Sequence, residues 1–111
     1  MSKQLTEQYI RAFDAKDLAG VAALLADDFA LEDPVVKRIE GKQPALAAIG
    51  AIFAGCRALS FQAKRVYADG DTCFIEFTLD LDAVRLQGVD IVEWRDGKMH
   101  ELRAYLDIPK G

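Results

Sequence analysis

The chain changes its hydrophobic period once, at Gly55, and that single change restricts the folds open to it. Before Gly55 the apolar residues recur at helical spacing; after it they alternate to the C-terminus. Leu5, Tyr9, Ala12 and Phe13 predict a first helix over about residues 3–15. Asp17 is placed to cap a second, with the stripe Leu18, Val21, Ala22 and Leu25, running out at Asp27 and Asp28. Phe29 to Pro34 reads as a short extended piece, because Pro34 disfavours the α conformation at Asp33. Gly41 breaks the chain before a third helix over about 43–55, with Leu46, Ile49 and Phe53 on one face.

Beyond Gly55, Leu59, Phe61 and Ala63 begin a strand that reaches Tyr67, and Asp69-Gly70-Asp71 is a hairpin turn. On the return strand, about 72–82, Cys73, Ile75, Phe77, Leu79 and Leu81 share a face. A third strand covers about 84–95, Asp96-Gly97 turns the chain, and a last strand covers about 98–108. Helices first and consecutive hairpins afterwards predict an α+β domain with an antiparallel sheet, not a parallel βαβ fold. So long a sheet in so short a chain must curl around the helices to bury its apolar face, and the curl leaves a pocket.

The 111 residues suffice for one domain, 1–111. Hydrophobic residues make up 51% and charged residues 29%, as in a globular protein, and no linker or repeat interrupts them. The net charge of −4 is scattered, which argues against nucleic acid as a partner. The polar, amphipathic start lacks the apolar core of a signal peptide, and no apolar run could span a bilayer. A cytoplasmic protein without membrane contact is expected. Cys56 and Cys73 are too few for a disulfide framework, and Cys73 falls in phase with Ile75 as a small buried hydrophobe.

Three residues put a polar group where an apolar one is expected. Asp33, held extended by Pro34 between Leu31 and Val35-Val36, is placed either to point into a cavity as a general base or to start an exposed turn. Asp90 shares one strand face with Val92 and Trp94, while Val89, Ile91 and Glu93 share the other. If the Trp94 side is the inner one, Asp90 is a carboxyl in apolar surroundings, which favour its neutral, hydrogen-bond-donating form. The competing arrangement has it facing solvent or a dimer partner. Tyr9, on the stripe of the first helix, is either a structurally bonded core tyrosine or a donor into the pocket. His100, in phase with Leu102, Ala104 and Leu106, is read first as a wall residue and second as an acid–base group. A lone histidine without carboxylates at ligand spacing gives no metal site, and no phosphate loop or nucleophile elbow is present, so no cofactor is expected.

Tyr9 to Leu18 (YIRAFDAKDL), Leu24 to Phe29 (LLADDF), Leu31 to Val35 (LEDPV), Val89 to Lys98 (VDIVEWRDGK) and Leu102 to Leu106 (LRAYL) together resemble the NTF2-like superfamily. Within it the likeness is to ketosteroid isomerases and SnoaL-like proteins, and it covers nearly the whole chain. The resemblance implies a cone of three N-terminal helices on a curved sheet, and an isomerase that shifts a double bond next to a ketone. In that family the residue matching Asp33 is the base, and those matching Tyr9 and a protonated Asp90 donate hydrogen bonds to the dienolate oxygen. Leu46, Phe53, Trp94, Leu102, Ala104 and Leu106 would line the pocket around a small apolar carbonyl ligand. Leu25 and Phe53 stand where some of these isomerases carry supporting tyrosines, which implies a shorter donor network. The same resemblance admits a SnoaL-type polyketide cyclase, in which His100 would matter, or a non-catalytic ligand-binding or dimerisation module. A homodimer through the sheet, using Val89 and Ile91, is expected.

Overall fold

The computed structural model describes residues 2–35 and 37–107. The first helix, α1 (Ser2–Asp14), turns Ser2, Thr6, Tyr9 and Phe13 inward, a stripe of one residue per turn. The Asp17 carboxylate caps α2 (Leu18–Leu24) by accepting the Gly20 N–H at 2.9 Å. This helix stops before Asp27 and Asp28, because Leu25 is already extended and pairs with Met99. Leu25 and Phe29 have helical spacing but belong to a strand, so burial beside another strand overrides the local period. The predicted extended piece is the end of that strand, β1 (Leu25–Asp33), which pairs with a short edge strand, β2 (Lys37–Glu40). Helix α3 (Lys42–Ala54) follows, between Gly41 at φ 102° and Gly55 at its C-terminal cap.

The remaining strands, β3 (Leu59–Asp69), β4 (Thr72–Leu81), β5 (Val84–Arg95) and β6 (Lys98–Leu106), form the predicted meander. Residue 108, the end predicted for the last strand, lies outside the described residues. The sheet order is β2-β1-β6-β5-β4-β3. It is mixed rather than wholly antiparallel, because β1 and β6 run parallel. Three helices on a six-stranded sheet make the NTF2-like α+β fold. No described helix is long and apolar enough to cross a membrane.

Bulges on β3 and β6 shift the alternation, and the second corrects the predicted place of His100. Lys64 is an extra residue on β3, between the pairs Ala63 with Phe77 and Arg65 with Glu76. Beyond it Val66 aligns with Ile75 and Tyr67 with Phe74, so Tyr67 lies outside, 56% exposed. His100 is the extra residue on β6, between Trp94 paired with Met99 and Glu93 paired with Glu101. Met99, not His100, therefore enters the core.

The helices are held to the sheet by aromatic packing and by two directed contacts. Phe13 stacks at 5.0 Å between ring centroids on both Phe53 and Phe61, linking α1 to α3 and β3. Asp14 accepts the Phe61 N–H at 2.8 Å, and the buried Trp94 indole N–H donates to Thr6 Oγ1 at 2.9 Å. On the outer face Arg38 bridges Glu32, Glu40 and Glu101, and Arg103 bridges Glu101 and Glu93. These pairs tie β2 to β1, β6 and β5.

At Gly88 the backbone of β5 lies close against β6. A Cβ there would lie 2.2 Å from the Tyr105 carbonyl oxygen and 2.7 Å from Leu106 Cα, both backbone atoms that cannot swing aside. Gly88→Ala is expected to lose at least about 1–3 kcal/mol, the usual cost of overpacking. The check is urea unfolding, with a lower midpoint at unchanged slope. An unchanged midpoint would show that the strands separate without cost.

Candidate functional site

Between the helices and the inner sheet face lies a cavity of about 460 Å³. Among the described residues its wall is apolar except for three side chains, Tyr9, Asp33 and Asp90. They reach it from different elements. Tyr9 comes down from α1, Asp33 ends β1, and Asp90 sits in the middle of β5.

Sheet register fixes the relation of the two carboxyl groups. Asp90 pairs with Ala104 on β6 and with Ile75 on β4. Leu31 and Glu32 of β1 pair with Leu102 and Arg103, so Asp33 follows level with Ala104. Asp33, Ala104 and Asp90 thus stand in one row across three adjacent strands, all on the cavity wall.

Their environments differ. Asp90 is 4% exposed, between the fully buried Ile75 and the Ala104 methyl. Burial, and secondly the charge of Asp33, push its carboxyl from 3.8 up to about 8, so it is protonated at neutral pH. Tyr9 is equally buried, and burial followed by the nearby Asp90 raises its phenol well above 10.0. Asp33 is half-buried at the cavity edge, where its Oδ1 accepts the Val35 N–H at 2.8 Å and fixes the turn after Pro34. The arrangement is one half-buried carboxyl group and, fully buried, a second carboxyl and a phenol.

Of the other predicted site residues, Leu102, Ala104 and Leu106 line the cavity, and Leu46, Phe53 and Trp94 do not. Leu46 packs on the outside of the core, Phe53 is turned onto Phe13, and Trp94 is held under α1 by Thr6. His100 is off the wall, and its electrostatic partners are Asp28 and Glu93. Phe29, Ile49, Ile52, Phe61, Phe77 and Leu79 also form the wall. Phe61, Phe77 and Leu79 were legible as inward by alternation; that they face a hollow depends on how α3 lies over them. The two remaining tyrosines, Tyr67 and Tyr105, are exposed, so no second phenol supports Tyr9.

The profile of the SnoaL-like domain matches residues 6–102. The chain belongs to the SnoaL-like family. Among curated proteins no sequence matches it. Solved structures place it in the same fold. A SnoaL-like protein of unknown function from Burkholderia thailandensis aligns with a TM-score of 0.86 and 19% identity, over 96% of this chain and 95% of that one. A candidate ketosteroid isomerase from Kribbella flavida aligns with a TM-score of 0.84 and 24% identity, over 99% and 80%. An LEH-like epoxide hydrolase from M. tuberculosis aligns with a TM-score of 0.80 and 25% identity, over 96% and 82%.

The buried neutral carboxyl has a thermodynamic consequence. Between pH 3.8 and about 8 the unfolded chain releases the Asp90 proton while the folded chain keeps it. The folded state then binds more protons, so stability from this group is whole below that window and is lost as pH rises through it, by at most about 1.4 kcal/mol per pH unit. Asp90→Asn, which cannot ionise, is expected to gain on the wild type steadily from about pH 4 to about pH 8 in urea-unfolding midpoints. A difference independent of pH would reject the protonated carboxyl.

Proposed function

We propose that the protein is a ketosteroid isomerase-like enzyme that moves a carbon–carbon double bond into conjugation with a ketone. One observation carries this reading: a half-buried carboxyl, a fully buried carboxyl and a buried phenol share one otherwise apolar cavity. The Asp33 carboxylate takes a proton from the carbon between the ketone and the double bond. The electron pair left behind spreads onto the ketone oxygen as a dienolate. Tyr9 and Asp90 donate hydrogen bonds to that oxygen, where negative charge develops only as the reaction proceeds. Asp33 then returns its proton to the far carbon of the former double bond, and the enzyme is restored without any other reactant.

The test is conversion of a 5-ene-3-ketosteroid to the conjugated ketone, followed by ultraviolet absorbance. Asp33→Asn is expected to lower kcat by about 10²–10⁴, and Tyr9→Phe or Asp90→Ala by about 10²–10³. In the wild type kcat/KM should fall above about pH 8, as Asp90 loses the proton it donates. No conversion by the wild type would reject the steroid ketone, and full activity in Asp33→Asn would reject the base.

The 25% identity to an epoxide hydrolase favours a second reading. Asp33 would take a proton from water as its oxygen attacks an epoxide carbon, and Asp90 would protonate the leaving oxygen. Diol formation from a small apolar epoxide, abolished in both Asp33→Asn and Asp90→Ala, would favour it over isomerisation.

We also infer that two copies pair through the outer sheet face. Tyr67, Phe74 and Ile91 form an apolar row across β3, β4 and β5, and Val89 with the exposed Tyr105 forms the next. Arg65 and Glu76, paired across β3 and β4, put both signs of charge beside the patch, as a self-complementary contact needs. Light scattering should give a dimer mass for the wild type and a monomer mass for Tyr67→Glu/Ile91→Lys. A monomeric wild type would reject the pairing.

A further inference from the structure

We propose that Thr6 and Trp94 are positioning residues: the hydrogen bond between them sets where α1 lies over β5, and so keeps the Tyr9 hydroxyl turned to the same point as Asp90. The inference rests on the isomerase reading for what Tyr9 does, and on packing alone for where Tyr9 lies. Thr6 and Tyr9 are successive members of the buried stripe of α1, three residues and about 4.5 Å of helix apart. Asp90, Val92 and Trp94 are the alternating buried residues of β5, on its inner face. The helix therefore meets this strand at two polar points. The Trp94 indole N–H donates to Thr6 Oγ1 at 2.9 Å, and the Tyr9 phenol shares the cavity with Asp90, close enough to feel its charge.

The first point is fixed and the second depends on it. Thr6 has no exposed surface and Trp94 almost none, so their bond is made away from water, where losing either partner leaves a polar group unpaired. Among the described residues it is the one side-chain hydrogen bond between α1 and the strand that carries Asp90. Ser2 fastens the start of the helix to the Gly70 carbonyl at 2.9 Å, and Asp14 fastens its end to the Phe61 N–H. Tyr9 lies between these anchors. Its ring packs on Phe13 and Phe61 at centroid distances of 5.8 and 6.2 Å, contacts that give the hydroxyl no direction. Tyr67 and Tyr105 are exposed, so no second phenol holds it. The hydroxyl goes where the helix backbone takes it, and Thr6 is one turn away.

The experiment joins kinetics to fluorine NMR of 3-fluorotyrosine at the three tyrosines, each assigned by its substitution with Phe. Thr6→Val keeps the shape of the side chain and removes the acceptor, whereas Thr6→Ser keeps an acceptor. Thr6→Val is expected to move the Tyr9 resonance, leave those of Tyr67 and Tyr105 in place, and lower kcat for the 5-ene-3-ketosteroid about tenfold or more, with KM within about threefold. Thr6→Ser should keep the resonance and kcat near the wild type. In a Tyr9→Phe background Thr6→Val should cost at most about twofold, because no hydroxyl is left to misplace. Circular dichroism establishes that each variant is folded, and Trp94→Phe, which removes the donor instead, serves if Thr6→Val is not. An unmoved Tyr9 resonance in the folded variants would overturn the proposal whatever the activity. In an active wild type, so would a loss of kcat below about twofold, or an equal loss with and without the Tyr9 hydroxyl. If the resonance moves while the wild type isomerises no ketone, the proposed reaction fails and the positioning bond stands.

Discussion

The parallel pairing of β1 with β6 is the contact on which the site depends. Every other strand pair joins neighbours in the chain, through hairpins that could form locally. This pair joins the segment after the second helix to the last strand, across most of the sequence. It stops α2 at Leu24, draws Leu25 against Met99, and brings Asp33 level with Ala104 and Asp90. Without it, Asp33 would end a short extended segment with no fixed relation to the sheet. The charged pairs of Arg38 and Arg103 on the outer face sit over the same seam, and the Asp33 turn closes its end.

Around that seam the protein keeps a group that works against its own stability. A carboxyl between Ile75 and Ala104 is desolvated on every side that the sheet controls. The chain holds it by leaving it protonated, which avoids burying a charge. Asp33, one strand beyond Ala104, is spared the same burial because β1 ends there and the turn supplies a backbone N–H. Two identical side chains thereby stand in different surroundings, Asp90 stripped of water and Asp33 at the end of its strand. In the proposed reaction, the same apolar wall would surround the charge that develops between them.

Much of this was legible in the residues themselves. The change of period at Gly55 gave the helices and the meander, Asp17 capped its helix, and both Asp-Gly turns fell where alternation reversed. Cys73, Ile75, Phe77 and Leu79 could be assigned inward because nothing interrupts β4. The same reasoning failed for His100 on β6, which is an inserted residue, and could not have been carried past Lys64 on β3, where a second insertion reverses the phase. A bulge answers to curvature of the whole sheet, which a two-residue period does not encode. Trp94 and Phe53 were legible as buried but not as core rather than wall: both face inward, yet Thr6 and Phe13 take them up before they reach the hollow.

The sequence by itself determined the three helices, the four-strand meander after them and the three polar residues that interrupt apolar faces, because spacing, capping and turn chemistry act over a few residues. Only the tertiary structure decided that Tyr9, Asp33 and Asp90 share one cavity, that Ala104 separates the two carboxyl groups, and which of those groups is stripped of water. Each of these depends on a pairing between residues far apart in the chain, and on the side chains that pairing packs around them. Local sequence can propose a polar residue for a pocket; only the folded surroundings set its charge.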